Sequence, residues 1–92
     1  MKQKEVKYKK NPSVVLREEF DDWGVLFDTE KGEGFCINPM GIFIWKQLDG
    51  TKNTSDLTKE ITENFSDVPK DLNEHVKDLI TQLQDHELIQ TQ

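Results

Sequence analysis

The sequence predicts an α+β fold, a three-stranded antiparallel meander followed by three helices. Three observations carry it. Between residues 13 and 37 the apolar side chains recur with period two and are interrupted by short turn signals. After Asn38 the period lengthens to that of a helix, and each of the three segments that follow has its own start signal. Strands first and helices afterwards is the segregated order of an α+β domain.

Residues 1–12 are polar and lysine-rich and end at Pro12, so they read as a flexible tail, leaving 13–92 as one domain. The first strand covers 13–20, with Val14, Leu16 and Phe20 on one face and Val15, Arg17 and Glu19 on the other. Asp21 and Asp22 turn the chain into a second strand at 23–28, apolar enough to be covered on both faces. Residues 29–32 turn it again, and 34–37 form a short third strand with Phe35 and Ile37 on one face.

The first helix runs over 39–48. Asn38 is a capping residue, and Pro39 fits the first helical position because its missing N–H would be unpaired there. Ile42, Trp45 and Leu48 share its buried face, and Gly50 supplies the left-handed residue of a helix end. Thr54 caps a second helix, with Asp56 in its first turn and Leu57, Ile61 and Phe65 as its buried stripe. Val68 and Pro69 open the third and longest helix, whose core face is Leu72, Val76, Leu79 and Leu83. Leu88 and Ile89 pack its exit back on the domain. Three helices with a small sheet are the parts of a winged helix-turn-helix.

Ninety-two residues bury only roughly 60–65% of their unfolded surface, which leaves little room for an enclosed catalytic cleft. The net charge of −6 is unevenly placed: the first ten residues hold five lysines against one glutamate, and the remainder seven basic against seventeen acidic side chains. An acidic body repels nucleic acid. A single cysteine excludes an internal disulfide and a cysteine-based zinc site, and Cys36 lacks a neighbour to activate its thiol, so it reads as a small buried or half-buried filler. His75 and His86 are eleven residues apart, ~16 Å along a helix, too far to share a metal. Glu18, Glu19, Asp21 and Asp22 read as a solvated turn, and Gly32-Glu33-Gly34 is no phosphate loop. The expectation is a protein without catalytic residues, metal or cofactor. With no secretory or membrane-spanning segment in view, it is expected in the cytoplasm.

What the meander leaves is a strand edge. The last strand, 34–37, offers backbone N–H and C=O groups to an extended peptide. On the third helix Ile80 lies about 70° round from the centre of the stripe, on the flank with Asn73, Lys77 and Gln84. It either buries against the second helix or packs against something outside the domain.

Asn38-Pro39-Met40-Gly41, followed by Ile44-Trp45 and Leu48-Asp49-Gly50, resembles the signature segment of the PqqD family. Residues 11–19, 23–28, the Leu57 and Ile61 helix and the ending Leu88-Ile89 resemble the family in order and spacing, so the likeness covers about 11–89. Met40 departs from the small residue often found there, the lysine-rich tail is outside the motif, and Asp21-Asp22-Trp23 is similar to a subgroup encoded with radical SAM enzymes. The resemblance implies a winged-helix-like peptide chaperone. It would bind the leader of a ribosomally synthesised precursor peptide as an added strand and present it to a radical SAM modifying enzyme. It also implies the site residues: Gly34, Phe35, Cys36 and Ile37 as the edge, and Val76, Lys77, Ile80 and Gln84 as the helical wall, with Asn73 at its start.

Two rivals stand beside this reading. A winged-helix DNA-binding regulator needs a basic third helix, yet Lys70 and Lys77 face Asp71, Glu74, Asp78, Asp85 and Glu87. A structural subunit docking through its first helix would need Trp45 at an interface, whereas a Trp within an apolar stripe is usually core. An exposed edge is compatible with a monomer or a weak dimer.

Overall fold

The computed structural model describes residues 6–19 and 22–91. The expected meander is present: β2 (Val14–Glu18), β3 (Gly24–Asp28) and β4 (Glu33–Ile37) form one antiparallel sheet in the order β2-β3-β4. Phe20 and Asp21, assigned above to the first strand and its turn, lie outside the described residues. The β3–β4 turn is organised by the buried Asp28, whose carboxylate accepts from Glu30 N (3.0 Å), Lys31 N (3.3 Å) and Ser13 Oγ (3.3 Å). Gly32 there adopts φ +72°, a conformation that favours glycine.

The helices follow as α1 (Pro39–Gln47), α2 (Thr54–Asn64) and α3 (Leu72–Asp85). Asn38 Oδ1 accepts from Gly41 N at 2.8 Å, so the cap of α1 is as expected. The cap of α2 is one residue earlier than expected. Asn53 accepts from Asp56 N (2.8 Å) and donates its own N–H to Asp56 Oδ2 (3.2 Å), a reciprocal box that makes Thr54 the first helical residue. α3 begins at Leu72, three residues after Pro69. Gly50 keeps its left-handed conformation (φ +89°) but sits in β5 (Asp49–Lys52), because α1 ends at Gln47 with Leu48, not a glycine, as its cap.

Beyond the meander there is a second sheet that short polar segments do not announce. β1 (Tyr8–Lys10) is its centre, flanked by β5 (Asp49–Lys52) and β6 (Ile89–Thr91). Tyr8 pairs with both Lys52 and Thr91, and Lys10 with Ile89. The reading of residues 1–12 as a flexible tail is therefore corrected for Tyr8–Lys10. Backbone pairing recruits this segment, Tyr8 packs against the core, and Asn11 N continues the tie to Leu88 O at 3.0 Å. Residues 1–5 lie outside the described ones.

The core lies between the β2-β3-β4 sheet and the helices. Leu26 and Ile37 from the sheet meet Ile42 and Trp45 of α1, its cap Leu48, Leu57 and Ile61 of α2, and the buried face of α3. That face is Leu72, Val76, Ile80 and Leu83; Leu79, expected in it, is only half-buried. Gly41 explains the glycine of the signature segment. A Cβ there would lie 2.4 Å from Ile37 Cγ1, so the strand-to-helix corner closes only around a hydrogen atom.

Candidate functional site

β4 has a neighbour on one side only among the described residues, and the hydrogen-bond register shows which of its groups are free. Glu19 N donates to Trp23 O (2.7 Å) and Thr29 N to Ser13 O (2.9 Å), in phase with the pairing of β2 and β3. Val25 and Phe27 therefore bond to β2. In an antiparallel ladder the N–H and C=O of one residue point the same way and successive residues alternate. Gly24, Leu26 and Asp28 thus bond towards β4, where they pair with Ile37, Phe35 and Glu33. The N–H and C=O groups of Gly34 and Cys36 are left facing the open edge.

Alongside that edge runs a cleft lined by Trp23, Phe35, Cys36, Ile37, Asn38, Leu79 and Gln82. Its volume of about 230 Å³ is below the ~300–1,000 Å³ usual for small-molecule sites. Trp23, 49% exposed, stands at the rim; Leu79 supplies the apolar wall and Gln82 a polar one. At one end Phe35 meets the ring of His86, and beyond them Lys31 of the β3–β4 turn forms an ion pair with Glu87. The hydrogen bond that the Glu87 carboxylate accepts, and then its negative charge, hold the Lys31 ammonium above its ordinary pKa.

Of the residues expected at the site, Gly34, Phe35, Cys36 and Ile37 share the edge strand, and the last three line the cleft. Cys36 is exposed, not the buried or half-buried filler expected. The residues expected as the helical wall do not line this cleft. Val76 and Ile80 are core residues, 0% and 3% exposed. Asn73, Lys77 and Gln84 are exposed on the opposite flank of α3, where Asn73 accepts a hydrogen bond from Thr58 Oγ1 of α2 at 3.1 Å. At 100° per residue these three lie roughly 120–160° round from Leu79.

Periodicity alone missed Leu79, Gln82, Trp23, Asn38 and His86. A stripe holding Leu79 on one margin and Ile80 on the other is symmetric on a helical wheel. Only the sheet's position decides which margin is core and which is wall. The sequence signal that was available is Trp23, a large aromatic between an acidic turn and a strand. A second cleft, between β5 and α2, is lined by Thr51, Lys52, Asp56, Lys59, Glu60 and Glu63 and has no apolar wall. Among the described residues no three His, Cys, Asp or Glu side chains are grouped to hold a metal, and no helix is long and apolar enough to cross a membrane.

The fold is shared with two solved structures. One, TbiB1 in complex with the TbiA(beta) leader peptide, superposes with a TM-score of 0.72 at 24% identity, over 89% of this chain and 94% of that one. The other, a lasso peptide synthetase B1 complexed with the leader peptide, gives 0.73 at 18% identity, over 91% and 98%. No curated protein sequence matches significantly. The family described as coenzyme PQQ synthesis protein D (PqqD) matches residues 24–89, which take in the edge strand, the signature corner and all three helices, and the chain belongs to that family.

Proposed function

We propose that this protein is a non-catalytic chaperone for a ribosomally synthesised precursor peptide. The peptide's leader adds as a strand to β4, and the complex presents the remainder to a modifying enzyme of the radical SAM class. The observation that carries the reading is the pair of backbone positions, Gly34 and Cys36, that face an edge unpaired among the described residues, beside a cleft walled by Leu79. Backbone hydrogen bonds along the edge supply sequence-tolerant affinity, and the cleft reads alternate side chains. Membership of the PqqD family supports it, as do the leader peptides bound to both structural neighbours. A duplex-binding role has little to stand on, since α3 carries Lys77 against Glu74, Asp78 and Asp85.

The test is a titration of isotope-labelled protein with a synthetic leader encoded by a short reading frame beside its gene. Amide shifts concentrated on Glu33–Ile37, Leu79, Gln82 and His86 are expected, with exchange protection gained at Gly34 and Cys36. Shifts spread over α2, or none, would refute strand addition at this edge. Co-purification of the loaded protein with a neighbouring radical SAM enzyme tests the second half of the reading.

A further inference from the structure

The outer face of the β2-β3-β4 sheet carries apolar side chains that the core does not use. Val15 is 45% and Phe27 36% exposed, and they pair with one another across β2 and β3. Phe27 in turn pairs with Gly34 of β4, so one row of the outer face reads Val15, Phe27, Gly34 and then the open edge. The next row reads Arg17, Val25, Cys36 and the edge. Gly34 leaves a slot in the first row. A Cβ built there would meet only Val25 Cγ1, at 3.3 Å.

Resting on the strand-addition reading above, we infer that this outer face is a second specificity surface. It takes one aromatic or large aliphatic side chain of the bound peptide, at the residue directly opposite Gly34. Residues paired across a ladder point to the same face, and successive residues alternate. A peptide on β4 therefore sends the side chains opposite Phe35 and Ile37 into the cleft beside Leu79. The side chains opposite Gly34 and Cys36 must go to the outer face. The one opposite Gly34 has no Cβ to pass and lies over the glycine onto the Phe27 ring. An aromatic side chain covering a cross-strand glycine is a known stabilising arrangement in sheets. The occupant is the same peptide because the row is continuous with the edge that peptide would occupy.

The experiment selects from a display library of random peptides, long enough to span β4, against wild-type protein and against Phe27→Ser, Gly34→Ala and Leu79→Glu. Folding of each variant is checked by its amide spectrum. Wild type should enrich peptides with apolar residues at alternate positions plus one bulky residue of opposite phase. Phe27→Ser and Gly34→Ala should keep the alternate pattern and lose the bulky residue. Leu79→Glu should do the reverse. A selected peptide and its alanine variant at the bulky position, measured against wild type and Phe27→Ser, should show coupling of about 5-fold in Kd.

Enrichment of one phase only, or additive effects in that cycle, would overturn the outer-face inference while leaving the cleft reading intact. Failure to enrich any peptide would overturn both. A wild-type dimer in sedimentation that Phe27→Ser abolishes would assign the patch to a second copy of the chain and also overturn it.

Discussion

Phe35 in the edge strand and His86 at the end of α3 meet with ring centroids 5.1 Å apart and planes inclined by 52°. The contact fixes the spacing of β4 and α3 at one end of the cleft. Replacing His86, an exposed residue, with alanine should cost only roughly 0.5 kcal/mol in urea unfolding. It should also accelerate amide exchange within Glu33–Ile37. Unchanged exchange there would mean that the ring contact does not hold the strand.

Leu79 and Ile80 are neighbours in sequence with different surroundings: Leu79 lines the cleft and Ile80 is buried in the core. Ile80→Ala should destabilise the fold by about 2–5 kcal/mol, the usual cost of truncating a fully buried aliphatic residue. Leu79→Glu should leave the protein folded and weaken leader binding by more than ~10-fold, because it sets a charge against an apolar contact. Thermal unfolding and peptide titration on the two variants check the pair. Equal effects on stability would contradict the assignment of core and wall.

Gly41→Ala tests why the signature segment needs its glycine. The added methyl would overlap Cγ1 of Ile37, the last residue of the edge strand, next to the Asn38 cap of α1. The expected loss is about 1–3 kcal/mol, as for other overpacked sites. Spectral shifts should spread from Ile37 along β4. A neutral substitution would show that the corner relaxes freely.

Deleting residues 1–10 removes the central strand of the second sheet. Tyr8 leaves the core and both β5 and β6 lose their partner, so stability should fall by about 1–3 kcal/mol. Denaturant midpoints of the full and shortened chains measure it. An unchanged midpoint would return this segment to the status of a tail.

The Lys31–Glu87 pair predicts a small alkaline effect. Its lysine has a folded pKa above the ordinary 10.5, so the pair's contribution is complete below that value and disappears as pH rises through the higher folded one. Both groups are exposed, and solvent screens them. Urea unfolding of wild type and Glu87→Gln should differ at neutral pH and converge only once pH has risen above the lysine's raised folded pKa.

The elements of the meander and the buried faces of α1 and α2 were readable because long-range packing and local period agree there. Ile42, Trp45, Leu48, Leu57 and Ile61 are buried as their spacing requires. The strands β1, β5 and β6 were not readable. Three or four residues such as Tyr8-Lys9-Lys10 are too short to show alternation, and their pairing is specified by partners some forty to eighty positions away. At the site, the edge strand was visible as the end of a meander. Which margin of α3 borders the cleft was not readable, because a helical wheel carries no information about where the sheet lies. Ile80 turns into the core and Leu79 lines the cleft, while Asn73, Lys77 and Gln84 lie on the far flank of the helix.

The pairing of Tyr8 with Thr91 has an architectural consequence. The strand that enters this domain and the strand that leaves it lie side by side on the same small sheet. A unit with adjacent entry and exit can be spliced into a surface loop of a larger protein, or circularly permuted, without stretching its host. Joining the two ends by a short flexible linker and reopening the chain at the exposed 29–32 turn should give a permutant that still folds. Tethered through that same sheet to a catalytic partner, the domain would keep β4, which belongs to the other sheet, open to solvent.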